Sequence, residues 1–66
     1  MTISKQLDVA FRKSLTANGK APEHLFINDM DYLDLVNTLG LDGMRLRVYR
    51  GAKVYTTREL PEPVFA

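Results

Sequence analysis

The sequence predicts a small α+β domain: helix, strand, helix, β-hairpin, with both helices packed on one face of a three-stranded sheet. Three observations carry this. Apolar residues recur at helical spacing through the first 17 positions, a short apolar run leads directly into a helix-capping residue, and a strictly alternating segment follows Asp42-Gly43.

The first helix is expected over residues 3–17. Ile3, Leu7, Ala10, Phe11 and Leu15 form its apolar stripe, Thr2 or Ser4 caps its start, and Asn18-Gly19 supplies the left-handed stop. Pro22 disfavours helix at Ala21, so Lys20-Ala21-Pro22-Glu23 reads as a loop. His24-Leu25-Phe26-Ile27 then reads as a short buried strand. Asn28 is placed to cap the second helix, with Asp31 three positions on and Asp29, Asp31 and Asp34 in the turns where the helix dipole favours carboxylates. Its core ridge is expected at Leu33, Val36 and Leu39, widened by Met30, Tyr32 and Leu35, and Gly40 and Asp42-Gly43 end it. A right-handed crossover joins the His24 strand to the Met44 strand if those two are parallel neighbours.

In the hairpin, Met44, Leu46 and Val48 alternate with Arg45, Arg47 and Tyr49, and Lys53-Val54-Tyr55-Thr56-Thr57 returns. A two-residue loop at Arg50-Gly51 pairs Val48 with Lys53 and mixes the faces. A three-residue loop pairs Tyr49 with Lys53 and Val48 with Val54, which gathers Met44, Leu46, Val48, Val54 and Thr56 on one side. The sorted register is therefore expected. Pro61 and Pro63 disfavour regular structure beyond Leu60. The reading is one compact domain over residues 1–60 and an extended tail over 61–66 that carries Val64 and Phe65.

Composition narrows the function. With 66 residues there is room for one domain, whose core rarely supplies more than about 3–5 kcal/mol. The chain has no cysteine and one histidine, which removes disulfides and a His/Cys zinc cage. No apolar run approaches the ~20 residues of a membrane span, and the start of the chain goes directly into an amphipathic pattern instead of a signal peptide, so a cytoplasmic protein is expected. The net charge of +1 conceals an asymmetry. Four basic residues stand against six acidic ones through Asp42, and five against two from Gly43 onward.

No constellation of catalytic type appears. The aspartates at 29, 31, 34 and 42 lack the glycine and closing glutamate of a calcium loop, and capping plus a solvated helix face accounts for them. His24 has no serine or cysteine nucleophile near it in sequence, and no glycine belongs to a phosphate loop. The expectation is a non-enzymatic binding module with no cofactor, no metal and no small-molecule substrate. In the sorted register Arg45, Arg47, Tyr49, Lys53 and Tyr55 share the outer hairpin face, a mixture enriched at interface hot spots, and Val64 and Phe65 add a second candidate contact. A protein partner other than a second copy is favoured. Nucleic acid is the alternative, since stacking platforms also combine aromatic and basic side chains on a sheet.

Residues 22–63 also resemble part of the axial domain of tailed-bacteriophage major capsid proteins. The likeness runs through Pro22-Glu23-His24-Leu25-Phe26-Ile27-Asn28, the helix opening at Asp29–Tyr32, Tyr49-Arg50-Gly51-Ala52-Lys53-Val54 and Arg58-Glu59-Leu60-Pro61. The long spine helix and extended arm of the capsid fold are missing, so a shell-forming subunit is not implied. The resemblance implies instead a small phage protein acting in the host cytoplasm, either an accessory sharing a surface with capsid protein or a binder of a host protein. A defence factor such as an immune sensor of the toxin–antitoxin type is one such target.

Overall fold

The computed structural model describes residues 2–41 and 45–66. The fold is α+β, with two helices and a small mixed sheet. The elements are α1 (Ile3–Asn18), β1 (His24–Asn28), α2 (Asp29–Thr38), β2 (Val48–Tyr49), β3 (Ala52–Thr57) and β4 (Val64–Phe65). Among the described residues the sheet has four strands in the order β2-β3-β1-β4, one more than the sequence predicts.

The helix boundaries follow from their caps. Thr2 Oγ1 accepts the Lys5 N–H, and Gly19, at φ 70°, donates its N–H to the Leu15 carbonyl. The Asn28 side chain accepts the Asp31 N–H at 2.7 Å and donates to the Asp31 carboxylate at 3.0 Å. At the far end of α2, Gly40 has φ 70°; its N–H reaches the Asn37 carbonyl and the Leu41 N–H reaches that of Val36, a Schellman closure.

One hydrophobic cluster holds the layers together. It joins Ile3 and Leu7 of α1, Leu35 of α2, Leu25 and Ile27 of β1, Ala52 of β3 and Phe65 of β4. Both helices thus cover the same face of the sheet. Two details of the expected helix faces are corrected. Ser14, not Leu15, extends the buried side of α1, and on α2 Leu35 and Val36 are buried while Met30, Leu33 and Leu39 are exposed.

β1 runs parallel to β3, with Leu25 opposite Val54 and Phe26 opposite Tyr55. The parallel partner of β1 is thus the second strand of the hairpin and not the first, since β2 pairs antiparallel with β3. Met44, expected on the inner face, lies outside the described residues.

The hairpin register is the one the face-sorting argument rejects. Val48 lies opposite Lys53 and Tyr49 opposite Ala52, around a two-residue loop. Arg50 and Gly51 have φ 51° and 78°, the double positive φ of a type I′ turn, whose twist matches the strands it joins. Sorting failed because it assumed that valine is buried and tyrosine exposed. Here Tyr49 turns inward against Phe65, bringing more apolar surface to the core than Val48 would. Arg50 then lays its guanidinium over the rings of Phe11 and Tyr49, with Nη1 at 3.2 Å from Asp8 of α1.

The tail is likewise part of the fold. Val64–Phe65 pairs antiparallel with β1, and Ala66 exchanges backbone hydrogen bonds of 2.8 Å with His24. Proline is compatible with an edge strand, where its missing N–H leaves no ladder bond unmade. Phe65 is buried and meets Phe11 edge-on.

Candidate functional site

The sheet has one covered face and one open face. Strand alternation assigns the sides. Leu25 and Ile27 of β1 point to the core and are fully buried, so His24, Phe26 and Asn28 point away. Ala52 points inward on β3, which sends Lys53, Tyr55 and Thr57 outward. Val48 shares the side of Lys53, and Val64 that of Phe26.

These eight outward positions form ordered rows. Val64, Phe26 and Tyr55 lie side by side on β4, β1 and β3, and His24, Lys53 and Val48 lie side by side on β1, β3 and β2. Phe26 and Tyr55 stack at 5.5 Å between centroids, and His24 lies 6.3 Å from Phe26 and 5.9 Å from Tyr55. Lys53 Nζ stands 6.0 Å from the Tyr55 ring centre. The apolar members remain open to solvent: Val48 is 57% exposed, Val64 42%, Tyr55 40% and Phe26 37%. None of the eight is acidic.

The residues singled out from sequence are thereby divided. Lys53, Tyr55 and Val64 belong to the open face. Tyr49 and Phe65 do not, because both pack into the core. Arg45 and Arg47 lie elsewhere, lining an open cleft of ≈ 550 Å³ with Asp29, Tyr32, Leu33 and Val54 beside α2. There the Leu46 N–H donates to Tyr32 Oη at 2.9 Å.

Five of the eight outward positions were missed as members of the face: His24, Phe26, Asn28, Val48 and Thr57. His24-Leu25-Phe26-Ile27 reads as uniformly apolar, so nothing in it marks which residues face solvent. Only the neighbouring strand, where Lys53 and Tyr55 alternate with Ala52 and Val54, carries that signal.

Among the described residues no group of three or more His, Cys, Asp or Glu side chains is placed to hold a metal ion, and no helix is long and apolar enough to cross a membrane. In comparison with known proteins, no family model, no curated protein and no solved structure matches the chain.

Proposed function

We propose that the chain is a non-enzymatic protein-binding module that presents the open face of its sheet to another protein. One observation carries the reading. Four large apolar side chains, Phe26, Val48, Tyr55 and Val64, stand between 37% and 57% exposed on one continuous face, while the opposite face holds the core. A contiguous apolar patch rimmed by polar groups is characteristic of an interaction surface. The likeness of residues 22–63 to a phage capsid axial domain supports a phage protein acting on a host protein in the bacterial cytoplasm, with a defence factor as one such target.

Affinity capture from bacterial lysate tests this reading. The wild-type chain is expected to retain a stoichiometric protein partner. Val48→Glu and, separately, Tyr55→Ser are expected to lose it while keeping their thermal melts. Retention by both folded variants would move the site off this face, and the Arg45–Arg47 cleft would be tested next.

A second reading draws on the three neighbouring rings with Lys53 beside them. Single-stranded nucleic acid stacks on such surfaces, and its binding would weaken steeply with salt as counterions are released. The face offers few cations for phosphates, which ranks this reading below protein binding.

A further inference from the structure

We infer that the occupant of the open face is a single amphipathic helix whose apolar stripe is flanked by carboxylates. The inference rests on the proposed role of that face and names the partner's chemistry.

Size comes first. Four strands about 4.8 Å apart, the longest rising about 3.3 Å per residue over six residues, present a face of roughly 14 by 20 Å. Even doubled for the relief of its side chains, that area falls short of the about 800 Å² that each partner of a standard interface buries. A larger globular domain would overhang it, and a second copy's face, equal in size, would bring the same Lys53 with no carboxylate among its outward positions to meet it. A helix, about 10–12 Å across with its side chains, matches its width.

The edges point the same way. β4 is two residues long and preceded by Pro61 and Pro63, and β2 is two residues long and ends in the turn at Arg50-Gly51. Neither offers an incoming strand much backbone to pair with. The occupant therefore packs through side chains, as α1 and α2 do on the other face.

Charge sets its flanks. The row Val64, Phe26, Tyr55 is uncharged, the neighbouring row holds Lys53 and His24, and none of the eight outward positions among the described residues is a carboxylate. A helix resting its apolar stripe on Phe26, Tyr55 and Val64 brings one flank toward Lys53. Carboxylates there are complementary, and cations are repelled.

The test uses the full ¹⁵N-labelled chain and two synthetic helical peptides of about 18 residues, long enough to hold a helix, with one leucine stripe flanked by glutamate or by lysine. The glutamate peptide is expected to shift the amides of His24, Phe26, Val48, Lys53, Tyr55 and Val64 and to bind about tenfold tighter than the lysine peptide. Lys53→Glu, at an exposed position, is expected to abolish or reverse that preference without unfolding the domain. Equal binding of the two peptides, or shifts confined to the Arg45–Arg47 cleft, would overturn the inference. Shifts on the face caused by a thymidine oligonucleotide and by neither peptide would overturn the helix but keep the face, as would shifts that grow with protein concentration alone. If neither peptide shifts any amide, the helix is excluded, and the capture experiment decides the face separately.

Discussion

At the scale of single residues, side chains that close the backbone at junctions matter most. Asn28 ends β1, caps α2 and also donates from Nδ2 to the Leu60 carbonyl at 2.9 Å, tying the start of the helix to the chain leaving β3. Asn28→Ala removes the cap and leaves that carbonyl unpaired, and we expect a loss of about 2 kcal/mol in urea denaturation. Asn28→Asp sharpens the test. Aspartate is as good a cap as asparagine, yet it has no donor for Leu60 and sets a second carboxylate against Asp31. It should therefore rescue little of the loss, whereas a purely capping role would make it neutral. Gly51, at φ 78°, has open space where a Cβ would stand, so Gly51→Ala meets no clash and its cost is the strain of the left-handed backbone less the entropy alanine removes from the unfolded chain. About 1–2 kcal/mol is expected, read as a lower urea midpoint.

Among the elements, β4 changes the picture most. Its Phe65 is 6% exposed and belongs to the core cluster. Phe→Ala at such a site costs about 3–5 kcal/mol, which is as much as a core of this size supplies in total. Phe65→Ala is thus expected to leave the chain largely unfolded at 25 °C, seen as collapsed amide dispersion, although it lies one residue from the end of the sequence. Both helices, the His24 strand and the second hairpin strand were legible because caps and periodicity are local signals. β4 and the hairpin register were not, because long-range pairing decides them. Pro61 and Pro63 say only that no helix forms there. The choice between turns at Arg50-Gly51 depends on whether Tyr49 or Val48 turns inward, and the ring that Tyr49 meets there, Phe65, is brought in by the β4 pairing.

For the molecule as a whole, the organising fact is that its core is one-sided. The candidate site inherits this. Lys53 and Tyr55 could be placed on it from β3 alternation, but the companions supplied by β1 and β4 follow only from the sheet order β2-β3-β1-β4. A one-sided core makes the two faces of one sheet respond oppositely to the same kind of change. Leu25 is fully buried in β1, and Leu25→Ala should cost about 2–5 kcal/mol, enough to unfold a domain of this size. Val48, in the same sheet, is 57% exposed on the other side. At about 25 cal/mol per Å² its remaining burial is worth well under the 1.5–3 kcal/mol of a fully buried side chain. Val48→Ser should therefore cost less than about 1 kcal/mol, including the lower strand preference of serine. Paired urea titrations of the two variants check the assignment. A large loss from Val48→Ser would mean that a hidden layer already covers the open face, as self-association would provide, and its dependence on protein concentration would reveal that layer. A small loss means that the exposed aromatic and aliphatic side chains contribute little to folding and remain available to a partner.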